Sequence, residues 1–80
     1  MQKGTQYIGK IVRFHRKKSG LSQEALASLA GVGKTTIFDI EHGKLSIKLT
    51  TLLKVFEILN VSCSFQSPLM DLFYTEEELS

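Results

Sequence analysis

The sequence lacks tryptophan altogether and has one proline, Pro68, and one cysteine, Cys63, in 80 residues. A lone cysteine excludes an intramolecular disulfide. The only two histidines, His15 and His42, stand far apart, so no zinc-ligand spacing exists and no metal or other cofactor is expected. Free-thiol chemistry of this kind suits a reducing cytoplasm. No apolar run approaches the ~20 residues a membrane span needs. The opening Met1-Gln-Lys-Gly-Thr5 is not followed by an apolar stretch, so no secretory leader is expected. No nucleophile–base pair or phosphate-cradling loop is present. Gly31-Val-Gly-Lys-Thr-Thr36 has neither the spacing nor the preceding strand of a Walker loop, and an enzyme is not expected. Internal repeats and low-complexity tracts are missing too.

What the chain does have is an uneven charge. Residues 1–48 hold nine lysines and arginines against three acids, a net +6. Residues 49–80 hold one lysine against five acids, a net −4. A basic front half is the footprint of a polyanion binder, though a solvated surface gives the same count. Eighty residues make one domain, which buries only ~60% of its unfolded surface and is marginal without help such as oligomerisation.

Hydrophobic periodicity predicts four helices. The first spans Tyr7–Lys18, with Ile8, Val12 and His15 on one face and Gly20 closing it. The second spans Gln23–Ala30, capped by Ser22 and turned inward through Ala25, Leu26, Leu29 and Ala30. The third spans Lys34–His42, with Ile37 and Ile40 inward and Gly43 closing it. The fourth spans Leu49–Leu59, its stripe of Leu49, Leu52, Leu53, Phe56 and Leu59, widened by Val55 and Ile58, broad enough to need cover on more than one side. Tyr7, Ile11 and Phe14 form a second row on the first helix that could be exposed and mark an interface.

After Asn60 the period changes to two. Val61, Cys63 and Phe65 alternate with Ser62, Ser64 and Gln66, which predicts a strand that Pro68 stops. A single strand cannot stand alone, and a second copy of Ser62–Gln66 is the economical partner. Val61, Cys63 and Phe65 would then form a homodimer interface, with a strand folded back on its own domain as the other option. Residues 1–66 thus read as one unit. Residues 67–80 read as an apolar, then acidic tail, for which a short helix, disorder and a partner contact are all open.

Two short helices joined at Ala30-Gly31-Val32 have the small residues, turn glycine and apolar plugs of a helix-turn-helix. Gly20-Leu-Ser-Gln-Glu-Ala-Leu-Ala27, Ala30-Gly-Val-Gly-Lys-Thr-Thr-Ile37 and Ile40-Glu-His-Gly-Lys44 together resemble the Cro/Xre helix-turn-helix signature. Leu49–Leu59 followed by a strand is similar to the HipB-like antitoxins. The resemblance implies a mainly α, four-to-five-helix lambda-repressor-like domain whose C-terminal strand forms an intersubunit two-stranded sheet. It implies a transcriptional repressor on a palindromic operator, and a HipA-like kinase toxin as partner. A free-standing phage or plasmid Cro-like regulator and a protein-interaction adaptor without DNA binding are the other readings.

Residue by residue, the resemblance gives Gln23 as a phosphate clamp, which suits an amide at a helix N-terminus. Lys34, Thr35 and Asp39 match base-reading positions. Lys could donate to guanine, Asp could accept from cytosine N4, and the Thr methyl could meet thymine. Thr36 divides between phosphate and packing, and His42 and Lys44 sit near the DNA backbone. Arg16 and Glu41 form a structural ion pair. Two positions depart from the pattern. Gly33 lacks the usual capping hydroxyl. Phe38 is an aromatic at a groove-facing site, either stacking on thymine methyls or altering DNA binding.

Overall fold

A computed structural model of the chain describes residues 4–44 and 46–79. They form five helices: α1 (Gly4–Lys18), α2 (Gln23–Ala30), α3 (Lys34–Glu41), α4 (Leu49–Leu59) and α5 (Met70–Leu79). The bounds of α2 and α4 are those expected. α1 starts three residues before Tyr7, and α3 stops at Glu41 with His42 as its cap. The tail is helical as α5.

The expected strand is not formed. Among the described residues there is no β-strand, and residues 61–67 are irregular. The reason is physical. A strand exists only as a hydrogen-bonded pair, and the described residues offer no second extended segment for Val61–Gln66 to pair with.

α1 packs on α3 and α4, and α2 packs on α3 and α4. Between them lie Val12, Leu26, Ala27, Ala30, Ile37, Ile40, Val55, Phe56 and Leu59, with Ile8, Leu21, Val32, Ile47, Leu52 and Val61 packed against this core. Two inward faces are rotated from expectation. Leu29 is exposed and Ala27 is buried in its place, because close contact of α2 with both α3 and α4 selects a small residue. Leu29 instead lines a shallow surface pocket with Ile58 and the α4 residues Lys54 and Glu57. On α4 the buried arc is Val55, Phe56 and Leu59, while Leu49 and Leu53 lie exposed at its edge.

The connections share one device. Gly20, Gly31, Gly43 and Asn60 all have positive φ, between 57° and 77°. After each, the next N–H bonds back five residues: Leu21 to Arg16, Val32 to Ala27, Lys44 to Asp39 and Val61 to Phe56, at 2.9–3.1 Å. This is the Schellman closure, which satisfies carbonyls at a helix end and folds the following residue back. Leu21, Val32 and Val61 are thereby delivered to the core. α2 begins on Ser22, whose Oγ accepts from the Ala25 N–H at 3.0 Å. α3 begins on Gly33 with no side-chain cap.

At Gly9 the backbones of α1 and α3 come close together. The residue is buried where α1 crosses the end of α3, and a Cβ there would lie 2.5 Å from the Ile40 carbonyl oxygen and 2.9 Å from that of Glu41. Both atoms are backbone, so neither can rotate away. Gly9→Ala is therefore expected to destabilise the chain by ~1–3 kcal/mol, the usual cost of overpacking. A urea titration should show a lower midpoint at an unchanged slope. A midpoint equal to that of the parent would mean that the two helices separate without cost.

Candidate nucleic-acid interface

The site is built on the exposed side of α3 and on the ends of α1 and α2 that flank it. Ile37 and Ile40 anchor α3 in the core, so its remaining residues turn outward. Gly33, Lys34, Thr35 and Phe38 are exposed, and Thr36 and Asp39 are half-buried. Gln23, Lys34, Thr35 and Phe38 line one depression of about 290 Å³. A second cavity, of about 310 Å³, is lined by Arg13, Arg16, Lys17, Gln23, Glu41 and His42. Gln23 belongs to both, so the two form a continuous surface from α1 across the start of α2 to the start of α3.

Arg16 and Glu41 organise this surface from beneath. Arg16 Nε donates to Glu41 Oε2 at 2.6 Å, and its Nη2 donates to Oε1 at 3.0 Å, a bidentate fork. Nη1 donates to the Leu21 carbonyl at 3.0 Å. The two side chains are only 10% and 2% exposed. Gln23 Nε2 also donates to Glu41 Oε1, at 3.2 Å. One carboxylate thus ties α1 and α2 to α3. Gln23 sits at the positive end of the α2 dipole with its amide oriented by Glu41.

Asp39 is engaged as well. Lys44 Nζ donates to its Oδ2 at 3.3 Å. Each acid of α3 therefore has a basic partner, which leaves Arg13, Lys17 and Lys34 to set the sign of the surface. Phe38 is 48% exposed and stacks on His42, ring centroids 3.9 Å apart and planes at 22°. His42 Nδ1 lies 2.7 Å from the Phe38 carbonyl oxygen. A carbonyl can only accept, so Nδ1 carries the proton and Nε2 is the ring's other polar atom.

The structure brings Gln23, Lys34, Thr35 and Phe38 together, and places Asp39 and Lys44 as a pair and His42 against Phe38. Gly33 stands exposed at the start of α3. Arg13 and Lys17 join the site, although sequence reasoning did not single them out. Their signal was present, since basic residues at i and i+4 share a helix face. Val61, Cys63 and Phe65 lie elsewhere. They border a groove of about 800 Å³ walled by Tyr7, Ile8 and Ile11 of α1 and Leu49, Leu52 and Phe56 of α4. Val61 is half-buried, while Cys63 and Phe65 are exposed. Among the described residues no group of three His, Cys, Asp or Glu could hold a metal, and no helix is long and apolar enough to cross a membrane.

Burial by itself pushes the Glu41 carboxyl up. The hydrogen bonds from Arg16 and Gln23, with the charges of Arg16 and Arg13, outweigh it and hold the group below its ordinary value. The same hydrogen bond raises Arg16 in spite of its burial. A carboxylate depressed in the folded state adds stability that is complete above its unfolded pKa, ~4.3 for glutamate, and is lost as pH falls through the folded value. The chain should therefore lose stability on acidification below about pH 4.3, and Glu41→Gln should flatten that limb of the profile. At neutral pH, Glu41→Ala should cost ~3–5 kcal/mol, because Arg16 stays buried without a counter-charge. Thermal melts across the acid range test both, and identical acid limbs for the parent and Glu41→Gln would refute the assignment.

Comparison with known proteins agrees with this architecture. The helix-turn-helix family model HTH_3 matches residues 12–66. The chain is 39% identical over 61 residues to the HTH-type transcriptional regulator y4mF of Sinorhizobium fredii, covering 76% of this chain and 80% of that one. Among solved structures, it superposes on HipB in the HipA-HipB-O2-O3 complex with a TM-score of 0.74. That match, at 24% identity, covers 85% of this chain and 99% of that one, and is a match of fold. An HTH_3 family transcriptional regulator from Vibrio cholerae matches with a TM-score of 0.65 and 36% identity over 72% of this chain and 33% of its own. The chain has the fold of these regulators and belongs to the helix-turn-helix family HTH_3, of the Cro/Xre type.

Proposed function

We propose that the chain is a sequence-specific, operator-binding transcriptional repressor that works as a homodimer. One observation carries the reading. α3 presents Lys34, Thr35 and Phe38 beside Gln23 on a single exposed surface, with both α3 carboxylates already paired. Unpaired acids there would repel phosphate. With Asp39 and Glu41 held by Lys44 and Arg16, the face accepts a polyanion.

The N-terminal part of α3 enters the major groove in this reading. Lys34 donates to guanine O6 or N7, the Thr35 methyl meets a thymine methyl, and Asp39 turns to a cytosine amine if Lys44 moves to phosphate. Phe38 stacks on thymine methyls with His42 behind it. Gln23 clamps a phosphate with the amide hydrogen that Glu41 leaves free, and Arg13 and Lys17 add charge beside it. Thr36, Gly33, His42 and Lys44 approach the DNA backbone.

The dimer follows from residues 61–66. Pairing with a second copy gives this segment the ladder it lacks and closes the apolar groove beside it, with Val61, Cys63 and Phe65 at the interface. Two recognition helices would then lie ~34 Å apart and read a palindrome. Residues 1–66 act as the binding and dimerisation unit, and 67–80 as the tail. The narrower role is an antitoxin that represses its own operon in the cytoplasm. The fold match to HipB, a protein solved in complex with HipA, supports a HipA-like partner.

Footprinting on the native operon with a parallel pull-down tests DNA and partner together. Lys34→Ala with Thr35→Ala should lower operator affinity by tenfold or more while the far-ultraviolet spectrum is unchanged, since each base contact contributes ~1–3 kcal/mol. Affinity should also fall steeply with salt. An unchanged footprint, or binding flat in salt, would favour an adaptor without DNA binding. Phe65 is 75% exposed in the protomer, so Phe65→Asp should leave the fold intact and yield monomer in ultracentrifugation.

A further inference from the structure

We infer that α5 is an exchange arm that docks on α1 of a second copy of this chain. α5 buries no residue, and it is absent from the helix pairs that make up the packed core. Leu69, Leu72, Phe73 and Tyr74 are all more than half exposed. A ten-residue helix is marginal in water unless it packs against something. The chain is correspondingly drawn out. Its radius of gyration is 14.8 Å, where a compact chain of this length has ~12 Å, and its longest dimension is 43 Å.

The surface that fits α5 is the outer face of α1. Tyr7 and Phe14 are exposed there at 54% and 58%, in one row with the half-buried Ile11. Lys10 and Lys18 flank the row, and Lys18 Nζ lies 5.7 Å over the Phe14 ring. α1 contains no acid, and its Lys10 and Lys18 lie outside the surface described above, while α5 contains four acids and no base. Leu69, immediately before α5, and Leu72, Phe73 and Glu76 on it recur at i, i+3, i+4 and i+7, an apolar stripe ending in a carboxylate. Aromatic meets apolar and lysine meets glutamate. The exchange rests on the homodimer proposed above, in which residues 61–66 run across the two-fold axis and carry α5 to the far protomer.

Two charge-reversed chains test the exchange. One has Glu76→Lys, on the stripe itself, the other Lys10→Glu with Lys18→Glu. In either homodimer, like charges would meet at α5 and α1, and the dimer dissociation constant should rise about tenfold or more over the parent. Mixed together, the two chains place opposite charges at both contacts. Native mass spectrometry should then show heterodimer well above the statistical half. A statistical mixture would overturn the exchange, whether because α5 docks on its own α1 or because it docks nowhere. A parent dimer whose strength ignores both reversals would overturn this inference and leave the strand-paired dimer standing. A monomeric parent chain would overturn both.

Discussion

A nearly buried guanidinium decides how this small fold is put together. Arg16 is 8% exposed and cannot lose its charge, so wherever α1 packs it must bring a counter-charge with it. Glu41 supplies that charge from the last residue of α3, and the Leu21 carbonyl takes a further donor. The pair can form only if α1 and α3 approach closely, and Gly9 is what permits the approach. Added hydrophobic area would hold the helices together without fixing their angle. The fork between Arg16 and Glu41 specifies one register, at the point where α3 leaves the core for the surface.

That register reaches the functional face through Gln23. Its amide bonds the same carboxylate that Arg16 holds, so the start of α2 and the end of α3 are set relative to one another. The outward residues of α3 are then presented at a fixed distance from Gln23 and from the basic side of α1. A helix-turn-helix works by this fixed offset, one helix lying across the DNA backbone while the other enters the groove. The structural ion pair and the proposed contacts are therefore one device. Arg16 and Glu41 touch no base in the proposed complex, yet they set where every reading side chain begins.

The parts of the fold written in local chemistry were legible from the sequence. Ser22 as a cap, Gly20, Gly31 and Gly43 as closures, and the limits of α2 and α4 depend on a few neighbouring residues. The Arg16–Glu41 pair was legible only through family resemblance, since 25 positions separate the two. What stayed hidden depends on packing between elements. Leu29 and Ala27 fit a helical period equally well, and only the position of α3 and α4 around α2 chooses between them. Gly9 reads as a mere loss of helix propensity until α3 is seen against it. In the sequence Gln23 is only a clamp at a helix N-terminus, because its bond to Glu41 requires α2 and α3 both to be in place. The strand expected at Val61–Gln66 shows the opposite case. Its alternation is plain in the sequence, but the segment is irregular in the structure, and the pairing proposed for it needs a second chain.

The apolar surface left by one protomer is therefore part of the argument about function. Leu49 and Leu53 on α4, Tyr7 and Phe14 on α1, Phe65 in the connecting segment and Leu72, Phe73, Tyr74 and Leu79 of α5 are all exposed. Singly they would be ordinary, but here several border the same groove of about 800 Å³. A protomer of 80 residues has little core to spare for stability, and this one leaves much of its apolar area uncovered. Association in pairs would remove that surface from water and set two α3 helices about a two-fold axis in the same step. In the proposed dimer, folding, association and the reading of a symmetric DNA site would be one linked equilibrium. In it, the contacts that complete the hydrophobic core also set the spacing of the two recognition helices.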